Sequence, residues 1–256
     1  MKKNKKTQEK KTFKEWLIDN AKALLWALLI AFGVRSCAFE PFNIPSGSMI
    51  PSLLVGDYLF VNKASYGYSR HSFPFSLPVV PKGRVFYSEP ERGDVVVFRL
   101  PSDTSVDYIK RVIGLPHDKI QVINGVLHIN GEPVKRTFVE MVKDKDAQGR
   151  DVIYTRYDEE LPNGVIHPIW EFSDDMLQDN TVEFIVPEGH FFMMGDNRDN
   201  SQDSRWLEQV GYVPKENLVG KAWFIFYSNN GYSPFLFFWN WGKSIRWERL
   251  FSKIEP

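Results

Sequence analysis

The pattern of apolar and polar positions divides the chain into an apolar amino-terminal stretch and a long region of short strands. An uncharged run, ALLWALLIAFGV, extends from Ala23 to Val34. Beyond Cys37, short runs rich in Val, Ile, Tyr and Phe alternate with Gly, Asp, Asn and Pro, which is typical of β-strands and their turns. Helical periodicity is nearly absent outside the first run and the carboxyl-terminal end of the chain.

The strand runs predict an antiparallel β body. Asn124-Gly125 separates two of them and is the strongest short-range indication of a hairpin. The predicted strands are 56–62, 93–98, 106–113, 120–123, 126–129, 184–186, 190–194 and 221–227. We therefore expect a mainly β fold whose body is an antiparallel, barrel-like sandwich.

Two regions interrupt this pattern. Residues 64–91 are rich in Tyr, Phe, Pro and Ser and predict a long surface loop. Between about Arg136 and Asn180 the chain is charged and has no clear periodicity. We interpret this region as a smaller, β-containing excursion inserted into the body, although ordinary surface loops fit the pattern nearly as well.

Charge is balanced over the whole chain but not along it. Lys and Arg total 32, as do Asp and Glu, so nothing indicates a nucleic-acid partner. Residues 1–15 nevertheless hold seven lysines and only two glutamates. The single cysteine, Cys37, excludes an internal disulfide framework and a metal site built from several cysteines.

The lysine-rich start and the apolar run fit four kinds of segment: a cleaved export signal, a lipoprotein signal, an uncleaved anchor and a buried amphipathic helix. Arg35 opposes both a cleavage site and acylation of Cys37, and the lysine cluster opposes burial. The uncharged run is shorter than the ~20 residues that cross a bilayer, so a span must tolerate polar side chains. We favour a transmembrane anchor over 16–36, with the amino terminus in the cytoplasm and the lipid bilayer as a partner. Polar residues inside that stretch are Asp19, Asn20 and Lys22.

The predicted organisation is thus a basic cytoplasmic segment (1–15), an anchor (16–36), a β body formed by 37–117 and 188–256, and an inserted hairpin and excursion (118–187). The aromatic tail from Tyr232 to Phe251 carries eight aromatic residues with basic neighbours. Such a tail suits a membrane interface or packing against the β body, and the sequence does not favour either.

Common catalytic and metal-binding patterns are absent. The chain has neither G-x-S-x-G nor H-E-x-x-H, and its five scattered histidines are expected at surface or turn positions. The stretch Asp196–Asp203 resembles a calcium loop, but Arg198, Ser201 and Leu207 occupy positions that such a loop reserves for other residues. We expect no metal and no other cofactor.

A serine and a lysine remain as candidates for chemistry. Pro45–Pro51 (PSGSMIP) forms a turn that leads into the first predicted strand. Without a histidine, a serine nucleophile needs another base, and a lysine can serve if burial favours its neutral amine. Lys110 shares a strand face with Tyr108 and Val112, whereas Arg111 points away. An edge-strand lysine that extends into water explains this strand, taken alone, better than a base does.

Four segments resemble, in order and spacing, the extracytoplasmic sequence boxes of bacterial type I signal peptidases. They are PSGSMIPSLLVGDYLFVNK (45–63), RGDVVVF (92–98), DYIKRVIGLPHDKI (107–120) and GHFFMMGDNRDNSQDSR (189–205). The resemblance implies a membrane-anchored serine endopeptidase that removes signal peptides from exported preproteins. It also implies a single-pass protein of the bacterial inner membrane with a periplasmic catalytic domain.

The same resemblance implies residue roles. Ser48 would be the nucleophile and Lys110 the general base, while Ser46 and the Ser48 N–H would form the oxyanion hole. Ser201 would orient the Lys110 amine. The supporting residues would be an ion pair, Asp203 and Arg205, and the run Gly195, Asp196, Asn197 and Arg198. The apolar substrate pockets would involve Phe42, Ile44, Met49, Leu53, Val97, Tyr108 and Ile109.

Two departures and two alternatives accompany the resemblance. His117 occupies a turn position where the family often has Gly, and one span replaces the two of some members. One alternative is another serine–lysine protease, such as a self-cleaving repressor of the DNA-damage response, which would need a DNA-binding domain or an internal scissile site. The other is a catalytically silent, membrane-tethered β module that binds partners through aromatic surfaces.

Overall fold

The computed structural model describes residues 12–73, 76, 80, 82–145, 149–231 and 241–256. Its α-helices are α1 (Phe13–Cys37) and α2 (Trp241–Ser244). Its strands are β1 (Phe39–Asn43), β2 (Asp57–Asn62), β3 (Val95–Arg99), β4 (Asp107–Gly114), β5 (Lys119–Ile123), β6 (Val126–Ile129), β7 (Glu132–Pro133), β8 (Lys135–Lys145), β9 (Asp151–Glu160), β10 (Ile166–Glu171), β11 (Phe184–Ile185), β12 (His190–Met194), β13 (Val213–Pro214) and β14 (Leu218–Ser228).

Seven strands form the main sheet, in the order β1-β2-β14-β3-β4-β12-β13. Every neighbouring pair in it is antiparallel. β14 pairs with both β2 and β3, and register shifts along it bend the sheet. The predicted mainly β, antiparallel body is confirmed.

The inserted region carries two smaller sheets. One has the order β11-β5-β6-β7, and its β5–β6 hairpin turns at Asn124-Gly125, both with positive φ, as predicted. The other, β10-β9-β8, occupies much of the region that lacked periodicity, so the alternative of ordinary surface loops there is wrong. The alternation was hidden because β8 is exposed at most positions on both faces and carries charged side chains there.

Buried side chains lie under both parts of the molecule. The main sheet covers one cluster that includes Met49, Leu53 and Leu59, while the β5–β6 sheet packs over another around Ile120 and Phe192. Each fully buried large aliphatic side chain contributes about 1.5–3 kcal/mol through the hydrophobic effect. These clusters fix the positions of β4 and β12, which carry and flank the site.

The predicted surface loop over 64–91 is wrong in part. Short 3₁₀ helices cover Lys63–Tyr66 and Arg70–Ser72, and Tyr66 is buried with its hydroxyl donating to Asp94 Oδ2 at 2.7 Å. Aromatic and polar residues of this segment therefore pack against the main sheet. Its residues 74, 75, 77–79 and 81 lie outside the described residues.

The predicted amino-terminal helix is present as α1. Its described apolar side chains are exposed; Trp26, for example, is 65% exposed. Within the described part of the chain, none of the helices combines the length and apolar character needed to cross a membrane, so the predicted span over 16–36 is not confirmed. Most of the lysine cluster (1–11) and residues 232–240 of the aromatic tail lie outside the described residues.

Candidate active site

Ser48 lies in a turn that precedes β2 and is held by a loop following β12. Asn197 donates its backbone N–H to the Ser48 carbonyl at 3.1 Å and its side-chain amide to the Gly47 carbonyl at 3.1 Å. The Ser48 side chain is buried, with 8% of the residue exposed. The turn is thus fixed by contacts to a segment about 150 positions away in the chain.

Lys110 lies in β4, an interior strand between β3 and β12. Its amine is 2.6 Å from Ser48 Oγ and 3.1 Å from the Ile109 carbonyl oxygen. Only 4% of the residue is exposed. The alternative of an edge-strand lysine extending into water is therefore wrong, because β4 has a partner on each side and the amine is covered.

Burial lowers the proton affinity of the Lys110 amine. Loss of solvation lowers the pKa of Lys110 to about 8, although the Asp203 and Asp196 carboxylates oppose the shift. An unperturbed lysine has a pKa of ~10.4. With the lowered value, roughly one site in ten holds a neutral amine at pH 7 and about half do at pH 8, so the amine can accept a proton.

The predicted oxyanion donors lie beside the nucleophile. Ser46 Oγ is 3.5 Å from Ser48 Oγ. Within the described chain, the Ser48 N–H has no protein acceptor. Ser201 is buried in the wall of the same cleft, but the Lys110 amine forms its hydrogen bonds with Ser48 and Ile109 instead. The orienting role of Ser201 stays a prediction.

Gly195 and the Asp203–Arg205 ion pair support this arrangement. A Cβ at position 195 would overlap both the Ser201 hydroxyl and the Ser48 carbonyl oxygen, so only glycine lets the loop approach. Asp203 accepts from Arg205 Nε at 2.9 Å and from the Gly195 N–H at 3.0 Å. Although burial raises the pKa of Asp203, the Arg205 guanidinium overcomes this and holds it below its usual value.

Asp196 forms a bidentate ion pair with Arg111, the residue after the candidate base. Both bonds, to Nε and Nη2, measure 2.9 Å, and both residues are 1% exposed. Burial raises the pKa of Asp196, but Arg111 more than reverses the effect and keeps the carboxylate ionised. The Arg111 side chain points away from Lys110, as predicted, and it is buried against Asp196 rather than exposed to water.

The sequence reasoning missed two residues that contact this loop from the insertion. Glu159 forms a buried ion pair with Arg198, and His167 lies 3.2 Å from Glu159 Oε2. The expectation that every histidine occupies a surface or turn position is wrong for His71 and His167, which are 3% and 1% exposed. The sequence could not show that Glu159 and His167 are neighbours, because they become cross-strand partners only through the register of the β9–β10 pair.

An open cleft of about 1130 Å³ contains both candidate catalytic side chains. Five of the predicted pocket residues line it: Phe42, Ile44, Val97, Tyr108 and Ile109. Met49 and Leu53 do not, because they are fully buried in the core beneath the turn. Another part of the lining, which the sequence did not reveal, comes from the insertion and includes Lys145, Tyr154 and Trp170.

His117 follows β4 in a turn and has φ +72°, a conformation that favours glycine. Its ring nitrogen lies 2.7 Å from Glu188, and both side chains are exposed. The turn therefore tolerates histidine, at the conformational cost that a side chain carries in the left-handed region. No group of His, Cys, Asp and Glu among the described residues has the arrangement of a metal site.

Comparisons with known proteins show which sequences this chain resembles. A family model described as signal peptidase, peptidase S26, matches residues 17–227. Signal peptidase I of Rickettsia typhi is 44% identical over 239 residues, covering 90% of this chain and 85% of the relative. Signal peptidase I of Rickettsia canadensis is 42% identical over 255 residues, covering 96% and 89%.

A crystal structure of a signal peptidase I from Enterococcus faecalis V583 is 24% identical and has a TM-score of 0.31, covering 52% of this chain and 97% of that chain. The assignment rests on the sequence matches, since a superposition this loose adds nothing to them. Because the family model spans most of the chain and the relatives match over nearly all of it, the chain belongs to the signal peptidase family, peptidase S26.

Proposed function

We propose that this protein is a serine endopeptidase that removes N-terminal signal peptides from exported preproteins, with Ser48 as nucleophile and Lys110 as general base. One observation carries the proposal: a buried lysine amine, whose pKa burial lowers to about 8, lies 2.6 Å from a serine hydroxyl. A surface lysine would stay charged at neutral pH and could not take the serine proton.

The mechanism follows from these two groups. The neutral Lys110 amine accepts the Ser48 proton while Oγ attacks the scissile carbonyl carbon. The tetrahedral oxyanion accepts hydrogen bonds from the Ser48 N–H and the Ser46 hydroxyl, and each such donor lowers the barrier by ~3 kcal/mol. Lys110 then returns the proton to the departing amine as the C–N bond breaks. In the second half, Lys110 accepts a proton from the water that attacks the acyl carbon, and it gives that proton to Ser48 Oγ as the acyl C–O bond breaks.

The supporting residues keep these groups in place. Gly195 and Asn197 hold the Ser48 turn, Asp196 is paired with Arg111, and Asp203 is paired with Arg205. Ser201 would turn its hydroxyl toward the Lys110 amine when the amine releases Ser48 Oγ. This role rests on its burial in the wall of the same cleft.

The substrate would bind extended in the cleft. The apolar lining of the cleft suits the small apolar side chains that precede a signal-peptide cleavage site. On the side of the main sheet this lining consists of Phe42, Ile44, Val97, Tyr108 and Ile109. An extended segment would gain backbone hydrogen bonds as an added strand. Met49 and Leu53 would shape these pockets from below, since neither reaches the surface.

For location, we propose that α1 anchors the protein in the bacterial inner membrane, with the amino terminus in the cytoplasm and the β body in the periplasm. The exposed apolar side chains of α1 support this, as does the lysine cluster that precedes it. Lipid would cover apolar surface that the rest of the described chain leaves open. Protease treatment of spheroplasts tests it: the β body should be digested while a tag before residue 12 stays protected, and the reverse pattern would overturn the topology.

Substitution of the two reactive groups tests the proposed activity. Ser48→Ala and Lys110→Ala should each abolish cleavage of a preprotein in a lipid-reconstituted assay, with unchanged circular dichroism. Lys110→Arg should also be inactive, because a guanidinium is not deprotonated in proteins. The exposed Ser102 and Lys135 offer matched controls, and their alanine variants should cleave normally.

The same experiment separates the alternatives. A silent β module predicts no cleavage by the wild-type protein and no effect of Ser48→Ala on its binding. A self-cleaving protease predicts shortening of the chain itself rather than of an added preprotein. Cleavage of the preprotein at its signal-peptide junction, lost with Ser48→Ala, excludes both.

A further inference from the structure

The insertion reaches the loop that holds the nucleophile through a buried ion pair. Glu159, in β9, accepts from Arg198 Nη1 at 2.7 Å and forms a second, shorter contact with Nη2. Glu159 is 1% exposed and Arg198 3%. Burial raises the pKa of Glu159, but Arg198 reverses this and lowers it to about 2, so the pair is ionised at neutral pH.

His167 links this pair to a second one. It is the cross-strand partner of Glu159 and is itself 1% exposed. One ring nitrogen lies 3.2 Å from Glu159 Oε2 and the other 3.5 Å from Asp196 Oδ1. The imidazole therefore lies between a carboxylate of the insertion and the carboxylate that pairs with Arg111.

Main-chain contacts complete the attachment. The Trp170 N–H, in β10, donates to the Asp196 carbonyl at 2.8 Å, and Trp170 forms a parallel β-bridge with Asn197. Asn197 in turn binds the carbonyls of Gly47 and Ser48. A continuous series of contacts thus runs from the β9–β10 pair to the backbone of the nucleophile.

From these contacts we infer that Glu159 and His167 are positioning residues, through which the inserted sheet fixes the Asp196–Arg198 segment and hence the Ser48 turn. The inference rests on the proposed role of Ser48. It gives the insertion a part in the reaction rather than in stability alone. The Ser48 N–H, an oxyanion donor, belongs to the same turn, and misplacement of reacting groups by ~1 Å can lower a rate about 10²-fold.

Two variants test the inference with purified full-length protein in lipid vesicles. Glu159→Gln keeps the shape of the side chain but removes its charge. His167→Phe removes the link between the two carboxylates while leaving each with its arginine, so it leaves no new buried charge unpaired. We expect kcat for preprotein cleavage to fall at least ~10-fold in both, with KM changed less than about twofold.

Matched controls come from the same inserted sheet. Arg156→Met removes a half-exposed ion pair between β9 and Glu140 of β8, and Glu160→Gln removes the exposed pair with Lys135 next to Glu159. Neither contacts the Asp196–Arg198 segment. Both should keep kcat within about twofold of the wild type, even where thermal unfolding shows a loss of stability.

The outcomes separate the inference from the proposed activity. If the wild type cleaves, Ser48→Ala does not, and folded His167→Phe keeps the kcat of the Arg156→Met control, the positioning role is overturned. If Glu159→Gln fails to fold, His167→Phe alone decides. If Ser48→Ala still cleaves, the proposed activity itself fails, whatever the result for the insertion.

Discussion

Lys110 and Arg111 are consecutive residues of β4, both buried, yet among the described residues only Arg111 has a carboxylate within ion-pair distance. Arg111 is held 2.9 Å from Asp196, whereas the Lys110 amine has a serine hydroxyl and a carbonyl oxygen as its neighbours. A buried charge without a counter-ion is expensive, so the lysine lowers its pKa instead. The same strand thus carries a permanent cation on one face and a proton acceptor on the other.

The first prediction concerns pH. Because the reactive form of Lys110 is the neutral amine and burial lowers its pKa to about 8, kcat/KM should rise roughly tenfold per pH unit below pH 7.5. It should be half-maximal near pH 8 and level off above about pH 9. Initial rates of preprotein cleavage between pH 6 and 10 check this, and a rate independent of pH over that range would contradict a lysine base.

Ser46→Ala provides the matched control. The substitution removes an oxyanion donor but leaves the Lys110 amine in place. The maximal kcat/KM at high pH should therefore fall about 10²-fold, while the pH of half-maximal kcat/KM stays near 8. A shifted midpoint in Ser46→Ala would mean that Ser46 acts on the base, not on the oxyanion.

The second prediction is that the base destabilises the fold. The pKa of Lys110 is lower in the folded than in the unfolded chain, so the unfolded state binds more protons between about pH 8 and 10.5, and stability rises with pH across that window. Below about pH 7 nearly the full cost of burying the charged amine is present. Because the pKa falls from ~10.4 to about 8, Lys110→Met should be more stable than the wild type at pH 7 by about 3 kcal/mol.

Urea unfolding at pH 7 and at pH 10.5 measures this difference, which should shrink at the higher pH. Lys119→Met, at a half-exposed position of β5, should show neither effect. A Lys110→Met protein less stable than the wild type at pH 7 would show that the Ser48 contact outweighs the desolvation cost.

Strand alternation predicted the faces of Lys110 and Arg111 from sequence but not their surroundings. Period two is a local property, so it separated the two side chains correctly. Whether a face meets water depends on which strands flank β4, and its partners β3 and β12 include one about 80 positions away. Asp196, the partner of Arg111, is 85 positions distant, so the sequence offered no local signal for that ion pair.

The insertion shows a similar limit. Hairpin chemistry at Asn124-Gly125 revealed the β5–β6 turn directly, since the positive φ values restrict the residue types. β8 gave no signal because it is exposed on both faces and lacks an apolar side. Glu159 and His167 read as ordinary polar residues, because their burial comes from contact with Arg198 and Asp196 on a distant loop.

A third prediction concerns Gly195. Its missing side chain leaves space that the Ser48 carbonyl and the Ser201 hydroxyl occupy, and a Cβ there would overlap both. Gly195→Ala should push the Ser48 turn away from Lys110 and lower kcat at least ~10²-fold, as misplacement of reacting groups does. Gly242→Ala, at a helical glycine whose Cβ would meet nothing, should leave kcat unchanged. Full activity in Gly195→Ala would show that the loop can retreat without moving Ser48.

The last prediction uses His117, which has φ +72° in the turn after β4. A side chain in the left-handed region costs ~1–2 kcal/mol, and glycine avoids that cost but loses more backbone freedom on folding, by ~0.5–1 kcal/mol. The first effect is larger, so His117→Gly should raise the free energy of unfolding by about 0.5 kcal/mol. Its pair with Glu188 is exposed and contributes little against this gain.

His128→Gly, inside β6, should be destabilised by about 0.5–1 kcal/mol because strand geometry gives glycine no advantage there. Chemical denaturation of both variants beside the wild type measures these differences, and a loss of stability in His117→Gly comparable to that in His128→Gly would show that the turn is not strained.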